Sequence, residues 1–144
     1  VDTSAWYALV DAGERSRPRV ASALRDALES RCRIVTTNLI VAETHALLLR
    51  RFDHAVALAF LREVRSEPNV VVDSTRDLEA SARRDWLERF EDQDFSLTDA
   101  VSFAVMSERS IRSALTLDHH FAVAGFEVTP GAESRPARRG RAPA

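Results

Sequence analysis

Residues 34–51, IVTTNLIVAETHALLLRR, change their hydrophobic period partway along. Ile34, Val35, Thr36 and Thr37 form a short β-branched run, the composition of a buried strand. From Leu39 to Arg51 the apolar residues recur at helical spacing. A strand leading directly into a helix is the unit from which parallel sheets are built, because the helix carries the chain back across the sheet. The alternation continues on both sides. Residues 1–2, 70–73, 114–117 and 126–129 are β-type runs, and residues 5–11, 20–30, 53–67, 75–90 and 97–108 have helical spacing. Ser74 with Asp77, and Ser96 with Asp99, have the Ser-x-x-acid form that starts helices, and Pro68-Asn69 ends one. This order predicts a three-layer α/β domain with helices on both faces of a parallel sheet.

Composition narrows the function. The 144 residues are 45% hydrophobic and 29% charged, a globular balance with enough chain for one buried core. No apolar run approaches the ~18 residues of a membrane helix and no secretory signal opens these residues, so a cytoplasmic location is expected. Cys32 is alone, which rules out an intrachain disulfide and a cysteine-built zinc site. All 20 basic residues are arginine, so a lysine-dependent phosphate loop or Schiff base is excluded. Residues 131–144, rich in Pro, Arg and Ala without periodicity, are read as a disordered basic tail after a domain of residues 1–130. The tail carries four arginines against one glutamate, so a net charge of −2 for the whole leaves about −5 on the domain. Nucleic-acid binding by so acidic a body must rest on local patches.

Four carboxylates are poorly explained by packing alone. Glu43 lies on the apolar stripe of its helix, between Leu39 and Ile40 one turn before and Ala46 and Leu47 one turn after, where an unpaired charge is costly. Asp2 and Asp118 each close a β-run, the end of an α/β sheet at which ligands bind. Asp is also a favoured N-cap, a rival reading that weighs more on Asp118 than on Asp2, since Thr3 and Ser4 can cap the first helix themselves. Asp99 opens a strongly apolar helix, where a capping box with Ser96 would explain it equally well. Carboxylates about 4 Å apart repel by roughly 4 kcal/mol at an effective dielectric near 20. A hard divalent cation with oxygen ligands, Mg²⁺ or Mn²⁺, relieves that repulsion and suits phosphodiester hydrolysis.

The blocks VDTSAWYAL at the start, TTNLIVAETHALL near position 40, FSLTDAVSFAVM near position 100 and TLDHHF near position 118 resemble, in order and spacing, the PIN domain of VapC-type toxins from bacterial toxin–antitoxin systems. The resemblance runs from Val1 to about Thr129. It implies a three-layer α/β/α domain with a parallel sheet of about five strands, an acidic Mg²⁺ or Mn²⁺ site and cleavage of single-stranded RNA to a 5′-phosphate and a 3′-hydroxyl. It also implies a homodimer inhibited by a VapB-type antitoxin. Residue by residue, Asp2, Glu43, Asp99 and Asp118 match the family's four acids, with Asp2 and Asp99 as the primary metal ligands. Thr3 or Ser4 falls where a hydroxyl often lies near the metal, and Thr98 precedes the third acid. His120 stands where the family often has another acid, which makes His119 and His120 candidates for touching RNA or orienting Asp118.

Asp73 is placed at the sheet edge and left out of the site, and Asp92 and Asp94 are read as solvated loop residues. Trp6 and Tyr7 are candidates for stacking bases, with core packing as the rival role. Arg50-Arg51 and Arg83-Arg84 are candidate RNA contacts or solvated helix faces. A receiver domain needs an acidic pair and a lysine, and an Asp-nucleophile phosphatase needs an acid where Ser4 stands. A catalytically inactive PIN-like binding module remains the alternative to the enzyme, and divalent-dependent RNA cleavage discriminates between them.

Overall fold

In the computed structural model, which describes residues 1–131, Ile34 and Val35 belong to different hydrophobic clusters, as do Val71 and Val72. Successive strand side chains point to opposite faces, so the two clusters lie on either side of one sheet. Strand β1 (Ile34–Thr37) pairs in parallel with β2 (Asn69–Val72), and β3 (Ser113–Leu115) in parallel with β4 (Glu127–Thr129). Val1 and Asp2 join the two pairs. The Val1 nitrogen donates to the Val35 carbonyl at 2.8 Å, Thr36 Oγ1 donates to the Val1 carbonyl at 2.9 Å, and the Asp2 amide donates to the Leu115 carbonyl at 3.3 Å. The spatial order is β2, β1, residues 1–2, β3, β4. The fifth run of the sequence pattern is thus an extended link, two residues being too few for a ladder of their own.

One layer contains α1 (Thr3–Val10), α3 (Asn38–Arg51) and α4 (His54–Val64), packed around Trp6, Ile40, Leu48, Phe60 and Val64. Helix α2 (Arg17–Glu29) packs against α1 and β3 and buries Val20 beside Ala5 and Ala8. The other layer contains α5 (Arg76–Ala82), the π-helical turn Arg83–Glu88 that continues it, and α6 (Leu97–Glu108). Every residue of α6 from Ala100 to Met106 is buried, and Phe103 is fully enclosed by Trp86, Phe95, Phe121 and Phe126. The wider π turn lets adjacent Trp86 and Leu87 both reach inward, a change of winding that the single helical pattern of residues 75–90 does not reveal. A short α7 (His120–Val123), also absent from the pattern, is pinned by buried Phe121.

Of the two Ser-x-x-acid helix starts, one forms as the sequence indicates. The Ser96 and Asp99 capping box is present, whereas Ser74 does not cap α5. Thr75 does, accepting from the Leu78 amide at 3.2 Å, while Ser74 Oγ donates to Glu79 Oε1. Among the described residues no helix is long and apolar enough to cross a membrane. The tail reading for residues 132–144 lies outside the described residues.

Candidate metal centre

Asp2 is where the extended link becomes a helix. Its carboxylate caps α1, with the Ala5 amide and Ser4 Oγ donating to Oδ1 at 3.1 and 2.8 Å. Asp2 itself is therefore the cap, the role that the neighbouring Thr3 and Ser4 had weighed against. It is only 8% exposed, and burial pushes its carboxyl above the usual Asp range, while hydrogen bonds from Ser4, Thr116 and Ala5 pull it back. Ser4 Oγ also accepts from the Leu117 amide at 2.8 Å, tying the start of α1 to the loop that carries Asp118.

Glu43 differs from expectation. The buried face of α3 is Ile40, Val41, Thr44 and Leu48, and Glu43 lies beside it on an exposed flank. With helical positions about 100° apart, Glu43 is displaced a full step from Thr44, at the centre of the buried face. Thr3 Oγ1 donates to Glu43 Oε2 at 2.9 Å and sets its direction. Asp99 Oδ2 accepts from the Ser96 amide at 3.0 Å. Asp118 lies three residues past the end of β3, where its own amide donates to Thr116 Oγ1 and its Oδ1 accepts from the His120 amide, both at 2.9 Å.

All four acids line one cavity of about 240 Å³, together with Thr3, Ser4 and Thr98. They come from the link before α1, from α3, from the start of α6 and from the loop after β3. Among the described residues no arginine lies within ion-pairing distance of any of them; the basic neighbours are His119, 3.7 Å from Asp118, and His120, 3.3 Å from Asp99 and 3.5 Å from Asp118. On Glu43, Asp99 and Asp118 the hydrogen bonds from described residues fall on a single carboxylate oxygen, leaving the second oxygen of each for another partner. An oxygen-rich donor set with no arginine among the described residues beside it, and with one carboxylate buried, fits a hard divalent cation.

The other candidates separate clearly. Asp73, Asp92 and Asp94 are exposed and do not line the cavity. Trp6 is buried with its Nε1 donating to Thr36 Oγ1, so it presents no face for stacking bases, and half-buried Tyr7 donates to Asp11 and lies beside Phe52. Arg83 and Arg84 pair with Glu88 and Asp85. A larger cavity of about 680 Å³ opens between β1 and β3, and among the described residues no carboxylate lines it, so it offers no oxygen-rich donor set of this kind.

A PIN-domain family model matches residues 1–127. The 23S rRNA-specific endonuclease VapC20 of Mycobacterium tuberculosis, in strains CDC 1551 and H37Rv, is 39% identical over 131 residues, covering 90% of this chain and 97% of the relative. The crystal structure of M. tuberculosis VapC20, described as a sarcin-ricin loop cleaving toxin, superposes with a TM-score of 0.75 at 35% identity, over 87% of this chain and 93% of that one.

Proposed function

The chain belongs to the PIN-domain family, and from that premise we propose that it is an endoribonuclease toxin that hydrolyses ribosomal RNA at the four-acid cavity. The observation that carries the reading is the convergence of Asp2, Glu43, Asp99 and Asp118, from four separate segments, on one cavity with no arginine among the described residues to neutralise them. The names of the relatives supply the substrate class, a structured loop of 23S RNA.

Asp2, Glu43, Asp99 and Asp118 would hold Mg²⁺ or Mn²⁺, which when bound activates water and offsets charge on the phosphate and leaving group. The chain's own contribution is orientation. Ser4 and the α1 amide fix Asp2, Thr3 fixes Glu43, and the α6 cap fixes Asp99, so the carboxylates are aimed before substrate arrives. Burial of Asp2 keeps water from screening its charge where the phosphodiester would sit. A nuclease of this kind needs restraint in its host. A VapB-type antitoxin bringing a cationic side chain to the acidic cavity supplies it, and a homodimer working on cytoplasmic ribosomes completes the assignment.

The test is cleavage of purified ribosomes or 23S RNA by the protein in Mn²⁺ and in chelator, with the ends mapped by primer extension. The reading expects one dominant metal-dependent cut, lost in Asp2→Asn. Metal-independent cutting would take the cation out of the mechanism, and no cutting together with tight partner binding would make the domain a binding module instead.

A further inference from the structure

Asp99 and Asp118 come from different elements, and nothing in the backbone between them sets their separation. One side chain spans the gap. His120 Nδ1 lies 3.3 Å from Asp99 Oδ2 and 3.5 Å from Asp118 Oδ1, while the His120 backbone amide donates to the same Asp118 oxygen at 2.9 Å. Ionised carboxylates only accept hydrogen bonds, so a nitrogen facing two of them carries the proton and donates. The ring is held in place: its side chain is 20% exposed, it meets the Phe95 ring edge-on at 5.3 Å and 81°, and the next residue, Phe121, is buried. Asp99 and Asp118 line the acidic cavity whereas His120 does not, so its ring stands outside the two carboxylates.

Resting on the metal-centre reading above, we infer that His120 is a positioning residue whose Nδ1–H bridges Asp99 and Asp118 and holds both for the cation. The proton is shared between Asp99 Oδ2, within hydrogen-bond distance and already bonded to the Ser96 amide, and Asp118 Oδ1, within ion-pair distance and already bonded to the His120 amide. Oδ1 of Asp99 and Oδ2 of Asp118 are thereby left as the ligating atoms. Without the bridge only the Ser96 and His120 amides oppose the repulsion between the two carboxylates, and the cation must bring them to their places at its own expense in affinity. Hydrogen-bond partners behind metal ligands contribute in this manner, and their loss typically weakens binding about 10–100-fold.

The experiment is calorimetric titration of Mn²⁺ into wild type, His120→Ala, His120→Asn and His120→Gln, with melting curves in chelator for each. Asn places its amide nitrogen where Nδ1 lies, whereas Gln reaches the position of Nε2. The alanine variant should bind Mn²⁺ about 10–100-fold more weakly, Asn should recover most of that loss, and Gln should not. Should the alanine protein fail to fold, the Asn and Gln variants carry the comparison by themselves. A lower melting temperature with wild-type Mn²⁺ affinity in Ala and Gln would reduce His120 to packing against Phe95 and overturn the inference. So would Asn binding no better than Gln, since the bridge through Nδ1 would then not be what matters. Wild type that binds no Mn²⁺ at all would overturn the metal centre itself, and the bridge with it.

Discussion

Replacing Asp99 by asparagine separates its two roles. Asp99 closes a capping box, in which its amide donates to Ser96 Oγ and its Oδ2 accepts from the Ser96 amide, both at 3.0 Å. Asn keeps an acceptor oxygen at that position and leaves the Ser96 side of the box untouched. What is lost to the fold is a negative charge in the first turn of α6, worth about 0.3–1 kcal/mol, partly offset by relief of repulsion from Asp118. Metal-free Asp99→Asn should therefore stay within about 1 kcal/mol of wild type, a shift of roughly 3–5 °C in melting temperature for a domain of this size. Metal distinguishes the proteins far more sharply. At a hundredfold excess over its dissociation constant, Mn²⁺ should stabilise wild type by ~2.7 kcal/mol through linkage, and the variant by much less. Melting curves in chelator and in Mn²⁺, alongside cleavage of 23S RNA, measure both effects. An Asn variant with wild-type metal response and full cleavage would show that Asp99 is a cap and nothing more.

Three further outcomes follow from the geometry. Burial raises the folded-state carboxyl of Asp2, so its contribution to metal-free stability is fully present below the unfolded value of about 4 and is lost as pH rises through the higher folded value. Asp2→Asn should therefore gain on wild type as pH is raised from about 4 in chelator, and a gap that stays constant with pH would count against the burial argument. Glu43→Gln, on an exposed flank, should change metal-free stability by under about 0.5 kcal/mol yet reduce both the melting response to Mn²⁺ and cleavage; retention of both would remove Glu43 from the centre. Phe103→Ala, at 0% exposure, should cost about 3–5 kcal/mol in denaturant unfolding, and a cost below 1 kcal/mol would mean that the aromatic cluster closes up around the hole.

The change of period in residues 34–51 was enough to read the architecture, and α6 lies within the bounds its apolar pattern indicated. Elsewhere the sequence was silent for identifiable reasons. A π turn and an α turn share nearly the same local composition, so the widening at Trp86 is set by tertiary contacts with Phe90, Phe103 and Phe126. Thr75 and Ser74 are both good caps, and the choice falls to Asn38, whose Oδ1 holds the Ser74 amide from the end of the neighbouring strand β1. The burial of Glu43 was misjudged because α3 is apolar nearly all round. Eight of its fourteen residues are Leu, Ile, Val or Ala, and a stripe that broad does not identify its own centre.

Capping and metal binding had looked like competing explanations for Asp2, Asp99 and Asp118, and the structure shows why they need not compete. A capping carboxylate gives one oxygen to a backbone amide at a helix start or turn, and that bond fixes the torsion of the side chain. With Asp99 and Asp118 held in this way, one oxygen of each is left without a described protein partner. The local signal that makes an Asp look structural is thus the same one that aims it, and spares the metal the entropy of ordering a free side chain. Single-chain reading cannot tell a cap from a cap that is also a ligand, because the distinguishing fact is which other carboxylates share the space. Asp77 shows the difference from the other side. It has the same Ser-x-x-Asp spacing as Asp99, yet it is exposed on α5 and does not line the cavity. In the proposed centre, Asp99 would therefore gain its chemistry from the company of Asp2, Glu43 and Asp118 across the cavity, not from its capping motif.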